Sequence, residues 1–488
     1  MEAAIERNWK DEVIQKDENR PYLKDGRSFI DDERIARLLR DHRAPERGEV
    51  LDIIAKSLSL QRLEPQETAA LLNIRDPDIW QEVLAAAPKI KEKVYGPRIV
   101  TFAPLYCSNF CVNSCVYCGF RVENREAARR KLSLEEVRRE TEALVSLGHK
   151  RLIVVYGEHP ASDVDYIAGT IQTVYDTKVG HGEIRRVNIN AAPQSVENYR
   201  VLKDIGIGTY QVFQETYHHE TYRRVHPRGI KADYDWRLYA LHRAQEAGVD
   251  DVAIGALFGL YDWRFEVLGL LCHAIDLEER FGGVGPHTIS FPRITPATGS
   301  AYSRDWPNRV SDEDFLRLIA VIRLSVPYTG MIITAREPAH IRRKAIDLGC
   351  TQTDGSTRIG IGAYSESYER QEAERQQFTI GDPRSLDEVV KELAGMGYLT
   401  SFCTAGYRCG RTGNYFMSIA KKGKVHSFCI PNAILTMKEY LLDYASAETR
   451  EIGEKLIERH KDAVPEKIRG ALDSRLRRIE NGERDLYF

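Results

Sequence analysis

Long hydrophobic runs are missing from this sequence: no apolar stretch approaches the roughly 18 to 20 residues of a membrane span, and the opening MEAAIERNWKDEVIQKDENR is too polar and acidic for a signal peptide. The expected address is the cytoplasm, with no membrane partner. A charge of one sign is missing too. Seventy Lys and Arg stand against 72 Asp and Glu, so the net charge of -2 offers no field for nucleic acid. Cysteine is scarce. Nine in 488 residues exclude a disulfide scaffold, and their clustering in two places points to metal or redox chemistry in a reducing compartment. Cys272 and Cys350 lie outside both clusters and read as inert core residues. What is present, 42% hydrophobic and 29% charged residues, is ample for a large core with appended units.

From residue 98 strands and helices alternate. Strands are expected at 98–106, 151–157, 187–190, 209–215, 252–259, 287–294, 330–335 and 350–355. Helices lie between them. One is capped by Ser133 with Glu136 three residues on, carries Leu134, Val137, Thr141 and Leu144 on one face and ends at Gly148; another starts at Ser311 with Asp314. Eight such units in about 260 residues match a (β/α)8 TIM barrel of the α/β class, whose active-site groups sit on the loops after the strands. A doubly wound sheet explains the number of units less well. Residues 1–96 read as an N-terminal helical extension, 97–375 as the barrel and 376–488 as a mainly helical C-terminal domain, reached through the polar, exposed connection SESYERQEAERQQ. In that domain Ser385 with Glu388 opens a helix, and helices resume at Asn432.

The loop after the first strand reads Cys107-Ser-Asn-Phe-Cys111-Val-Asn-Ser-Cys115-Val-Tyr-Cys118-Gly. Cys111, Cys115 and Cys118 form a C-x3-C-x2-C array that can wrap one face of a 4Fe-4S cluster and leave one iron open for an outside ligand. S-adenosylmethionine (SAM), bound there by its amino and carboxylate groups, would be cleaved reductively. A zinc site using Cys107 as fourth thiolate is the competing reading, strained by such short spacings. Cys107 is otherwise a packed thiol. Tyr117 and Gly119 fit a turn packing against adenine.

This array at the end of a first barrel strand is the motif of the radical SAM enzymes. The chain resembles their tyrosine lyases along nearly its whole length, through FAPLYCSNFCVNSCVYCGF, EVRRETEALVSLGHKRL, IRRVNIN, GIGTYQVFQETYH, VPYTGMI, TAREP, FCIPNAILT and RIENGERDLYF. The hydrogenase-maturase branch is most similar, followed by the 2-iminoacetate synthase of thiazole biosynthesis. The resemblance implies abstraction of a hydrogen from the amino group of L-tyrosine, or a related aromatic amino acid, and cleavage of Cα from Cβ to p-cresol and 2-iminoacetate. It implies an electron donor such as flavodoxin or ferredoxin. Gly157-Glu158 resembles the element that receives the SAM amino group; Gln214, Glu215 and Gly255 to Gly259 occupy positions that hold ribose and adenine, and Asn188 joins this set. Arg336 is the first choice for the substrate carboxylate, because a planar cation at a strand end holds it bidentately. Thr353 and Ser356 are its hydroxyl partners. Arg293 is an alternative holder of a SAM or substrate carboxylate. Tyr106, His287 and Glu215 are candidates for the phenol proton, while His218, His219 and His226 read mostly as loop-bonding histidines.

The maturases hold an auxiliary cluster in their C-terminal domain through C-x2-C-x22-C and use it to make CO and cyanide. Here the sequence reads Cys403-Thr-Ala-Gly406-Tyr-Arg-Cys409, and 22 residues separate Gly406 from Cys429. Glycine stands where the second ligand belongs. Cys403 and Cys429 with Cys409 as replacement, completion by an exogenous ligand, or no second cluster are all open; without one, the expected output is that of the simpler 2-iminoacetate synthase. An iron-sulfur carrier or scaffold is the non-enzyme alternative, for which eight strand-helix units are surplus.

Overall fold

The run Arg151–Tyr156, RLIVVY, is buried along its whole length, and so are all eleven residues of Arg98–Ser108. Strands apolar on both faces need cover on both, which a closed parallel sheet ringed by helices provides. A computed structural model describes residues 9–41, 43–366, 368–369 and 372–488. Its barrel strands are β1 (Arg98–Ser108), β2 (Arg151–Tyr156), β3 (Arg186–Asn190), β4 (Tyr210–Gln211), β5 (Val252–Gly255), β6 (Thr288–Ser290), β7 (Gly330–Ile333) and β8 (Gln352–Asp354). Each pairs in parallel with the next, and β8 returns to β1 with Val100 opposite Gln352 and Phe102 opposite Asp354, closing the barrel. The expected (β/α)8 barrel is present.

Several strands are shorter than their hydrophobic runs. β4 stops at Gln211 although the run continues to Glu215, because Glu215 takes a left-handed φ of 69° and regains only a single bridge, to Ala256. That kink turns a charged side chain into the barrel mouth.

Helices α1 (Asp32–Asp41), α2 (Arg47–Leu58), α3 (Pro65–Leu72) and α4 (Pro77–Tyr95) form the N-terminal extension. α5 (Leu134–Ser146) begins with the expected capping box of Ser133 and Glu136 and buries Val137, Thr141 and Leu144. Leu134 itself, in the first turn, stays 46% exposed. α6 (Trp263–Arg280) and α7 (Asp312–Ser325) follow, the latter capped by Ser311.

The polar connection after the barrel is exposed, as expected, at Ser365, Glu366, Glu369, Ala373 and Glu374. Its end folds back over the mouth: the backbone N–H of Gly119 donates to the Gln377 carbonyl at 2.9 Å, and that of Thr379 to Pro296 at 2.8 Å. A Cβ on Gly119 would lie 2.6 Å from the Gln376 carbonyl oxygen, so only glycine admits this strap.

Beyond it come α8 (Leu386–Gly395), opened by the capping box of Ser385 and Glu388, strand β9 (Leu399–Ser401), α9 (Gly413–Lys421), α10 (Val425–Asp443), α11 (Ala447–Lys461) and α12 (Glu466–Glu480). β9 pairs with residues 98–100 of β1, which docks this unit under the N-terminal ends of the barrel strands. Its apolar faces share a core of their own, including Leu399, Phe402, Ile434, Met437 and Leu476. α10 starts seven residues before Asn432 and runs through Pro431, whose missing N–H costs one helix hydrogen bond.

Candidate active site

Two pockets lie at opposite ends of the barrel. The upper one, at the C-terminal ends of the strands, is a cavity of about 200 Å³, and Cys111, Cys115 and Cys118 form part of its wall. Arg129 braces the loop that carries them, donating to the carbonyls of Asn109 at 2.6 Å and Phe120 at 2.8 Å. Asn124 adds bonds to the carbonyls of Gly119 and Thr298. Burial pushes the Cys111 thiol up to about 11, with the Cys118 thiol adding to the effect, and burial raises Cys115 further. Among the described residues no three Cys, His, Asp or Glu side chains converge on a single ion; thiols spread around a multi-iron face stand wider apart than the ligands of one ion.

At the end of β2 the chain passes so close to the loop that a Cβ on Gly157 would lie 2.1 Å from the Phe110 carbonyl oxygen. Glu158 follows, buried, with one carboxylate oxygen taken by Asn113 and the other, Oε1, without a partner among the described residues. Burial raises its carboxyl, against the pull of Arg237 and the Asn113 bond. Glu215 faces the same cavity, paired with Lys231 at 2.5 Å and Arg237 at 3.6 Å. Burial would raise it, but the two cations outweigh burial and hold it below the usual carboxylate range.

Tyr117 lies on the floor of the cluster loop, its hydroxyl 2.8 Å from His226 Nε2. His226 Nδ1 faces the Tyr222 carbonyl at 3.0 Å, which assigns the proton to Nδ1 and makes Nε2 the acceptor. Burial holds this imidazole neutral. His226 is thus a support for the site, whereas His218 and His219 face Asp32 of the N-terminal extension.

Arg336, after β7, enters the cavity with its guanidinium over the Phe378 ring, 3.2 Å from the centroid. No carboxylate pairs with it among the described residues, which sets it apart from Arg293 and Arg342 nearby. Tyr106 donates to Gln377 Oε1 at 3.2 Å, and Gln377 Nε2 lies 3.6 Å from Cys118 Sγ. Lys231, Arg237, Asn113, Gln377 and Phe378 were not singled out from the sequence; only the first two carried a signal, as cations following the glutamate of the fourth strand.

The structure brings Tyr106, Tyr117, Gly157, Glu158, Glu215 and Arg336 together with the three cysteines, and places six other candidates elsewhere. Arg293 points outward between two cavity-lining neighbours, Pro292 and Ile294, and binds Glu337 and Asp312. Thr353 faces away from the cavity and accepts from Arg342 at 2.6 Å. Ser356 accepts from the backbone of Leu386 at 2.7 Å, tying α8 to the barrel. Gln214 lies between the cavity-lining Phe213 and Glu215 and has both amide atoms buried without a partner among the described residues. Asn188 sits a layer below the cavity, accepting from Arg186 and the backbone of Thr209. His287 precedes β6 and so lies at the lower end, 3.4 Å from Asp251 and packed on Phe416.

That lower pocket, of about 50 Å³, is lined by Cys403, Gly406 and Cys429 with His287, Tyr407 and Arg411. Burial would raise the Cys403 thiol, but Arg98, Arg151 and Arg186 together hold it below its ordinary range; for Cys429 burial prevails over Arg98. Cys409 is exposed and outside the pocket. Among the described residues no helix is long and apolar enough to cross a membrane.

Residues 105–267 match the Radical SAM superfamily, and residues 290–399 the Biotin and Thiamin Synthesis associated domain. The 2-iminoacetate synthase of Salmonella typhimurium is 30% identical over 353 residues, 72% of this chain and 89% of that protein. A crystal structure of HydG, a maturase of the [FeFe]-hydrogenase, superposes with a TM-score of 0.90 at 51% identity, covering 94% of this chain and all of the other. The HydG of Carboxydothermus hydrogenoformans gives 0.77 at 39% identity, over 91% and 96% of the two chains. Identity at this level, sustained through the cysteine loop, the barrel and the C-terminal unit, means that the chain belongs to the radical SAM superfamily, in the family of the 2-iminoacetate synthases and the HydG maturases.

Proposed function

We propose that this chain is a radical SAM lyase that splits L-tyrosine between Cα and Cβ into p-cresol and 2-iminoacetate. The family implies a 4Fe-4S cluster and SAM, and the upper cavity fits both. Three thiols from one short loop suit a cluster with one free iron, and Glu158 Oε1, unpartnered among the described residues, is an acceptor suited to an ammonium. When bound, the pair supplies a 5'-deoxyadenosyl radical, at the cost of one electron from a donor such as a flavodoxin or ferredoxin.

The observation that carries the substrate assignment is Arg336. A guanidinium without a carboxylate partner among the described residues, stacked on Phe378 in the cavity that holds the cysteine loop, is a receptor for a free amino-acid carboxylate. With the carboxylate fixed there, the amino group is presented to the radical, and loss of its hydrogen lets the Cα–Cβ bond break. Tyr106, at the strap, is placed to order the aromatic end or its phenol. A second electron and a proton convert the p-cresol radical to p-cresol. Gln377 and Phe378 close the mouth over these events and exclude water.

Anaerobic reconstitution with iron and sulfide, followed by SAM, dithionite and tyrosine, is expected to release 5'-deoxyadenosine and p-cresol together. Deoxyadenosine without p-cresol would remove tyrosine as substrate. A chain that binds iron but never cleaves SAM would be a carrier instead.

A further inference from the structure

The C-terminal unit carries a cysteine array that the upper cavity does not use. Cys403 follows β9 with a left-handed φ of 49°, Cys429 stands in the second turn of α10, and Gly406 lies with them on the wall of the lower pocket. A cubane is held by protein thiolates, three at the least where one iron is left free. This pocket supplies two.

The other ligand types near the two thiols are Cys409, which lies outside the pocket, and His287 and Asp485, which line it beside charged partners, Asp251 for the first and Arg185 and Arg408 for the second. Cys409 is held a turn away by bonds from its own N–H to the Ala405 carbonyl at 3.0 Å and from Arg411 N–H to Gly406 at 2.8 Å, and its exposed Sγ lies 3.6 Å from the Phe488 carbonyl. His287 is engaged by Asp251 and Phe416. The pocket offers about 50 Å³, room on the scale of a few water molecules, against about 200 Å³ above.

We propose that the lower pocket of this chain is a two-thiol site that assembles no cubane of its own, and that position 406 alone separates it from a three-cysteine cluster site. The backbone supports the second half of the statement. A Cβ on Gly406 would meet nothing nearer than the Arg411 carbonyl oxygen at 3.8 Å, an ordinary contact, and residue 406 sits in the helical turn Ala405–Arg408 with no left-handed φ that would strain a cysteine.

Iron counting and EPR on the full chain, reconstituted anaerobically, test this without tyrosine, so the outcome is separate from that of the lyase assay. The unaltered chain is expected to bind about four iron atoms, one cubane. C111A/C115A/C118A should fall to background iron, and C403A/C429A should leave both iron and the reduced-cluster signal as they were. Gly406→Cys should bring the content to about eight, with a second EPR signal. About eight irons in the unaltered chain, or a cubane signal that survives C111A/C115A/C118A and vanishes when C403A/C429A is added, would overturn the proposal. A Gly406→Cys chain with unchanged thermal stability that still binds only about four would overturn the assignment to position 406.

Discussion

Glu158 leaves one buried carboxylate oxygen bare while Asn113 holds the other, so its two oxygens have different duties. Glu158→Gln keeps the shape and the Asn113 contact and removes the charge that an ammonium would meet. A hydrogen bond to a charged group is worth about 1.5–3 kcal/mol, so SAM should bind roughly 10- to 100-fold more weakly, with iron content unchanged. Anaerobic equilibrium dialysis measures this, and unaltered affinity would take Glu158 out of the SAM site. Arg336 calls for a different readout. Arg336→Lys retains a positive charge but loses the planar fork and the stacking on Phe378. KM for tyrosine should rise about 10-fold or more, by at least 1.4 kcal/mol of binding, while SAM cleavage without tyrosine continues. A loss of SAM cleavage with KM unmoved would instead assign Arg336 to the cofactor.

At the scale of elements, the end of β2 and the cluster loop are fitted backbone to backbone. Gly157→Ala forces a Cβ to within 2.1 Å of the Phe110 carbonyl, directly before Cys111. Neither side is a flexible side chain, so the cost, about 1–3 kcal/mol by analogy with overpacked cores, must fall on the loop. The expected result is a lower melting temperature and less iron retained after desalting; full iron retention would mean that the loop tolerates the shift. The same elements explain what the sequence could and could not disclose. The eight strands were legible because each is a short apolar run between capped helices, and the cysteine array because its spacing has few other uses. The pleat accounts for half of the misplaced residues: Gln211, Phe213 and Glu215 share one face, so Gln214 must point the other way, and the same alternation turns out Arg293 and Thr353. Residue type had drawn attention to positions that parity excludes. Asn188 and His287 fail on depth, the first at mid-strand below the layer that lines the cavity and the second just before the N-terminal end of its strand, whereas the opposite ends form the site. The strap could not be read at all. A polar segment looks the same in sequence whether it remains in solvent or folds back to place Gln377 and Phe378 over the cavity.

Across the whole molecule, the barrel is gripped on both sides. The N-terminal helices dock through side chains that satisfy barrel carbonyls, Ser57 on Leu324 at 2.7 Å and Tyr95 on Tyr328 at 2.6 Å, and the C-terminal unit closes the lower end through β9. Within this assembly one buried acid links stability to pH. Among the described residues no cation pairs with Glu266 of α6; it accepts from the Thr216 hydroxyl and from the Tyr217 backbone at 2.8 Å, next to the kink that presents Glu215. Burial pushes its carboxyl up to about 8, despite those bonds, from an ordinary value of 4.5. Below that ordinary value the proton is bound in folded and unfolded chains alike. As pH rises through the window between 4.5 and about 8, the unfolded chain releases its proton and the folded one keeps it, so stability is lost across that window and the loss is complete above it. The full effect is on the order of 5 kcal/mol. Glu266→Gln cannot release a proton, and its stability relative to the unaltered chain should therefore improve steadily from about pH 5 to about pH 8 and level off above that in anaerobic urea unfolding. A difference between the two chains that stays constant over that range would show that Glu266 is ionised in the folded protein and that some group beside it supplies the compensating charge.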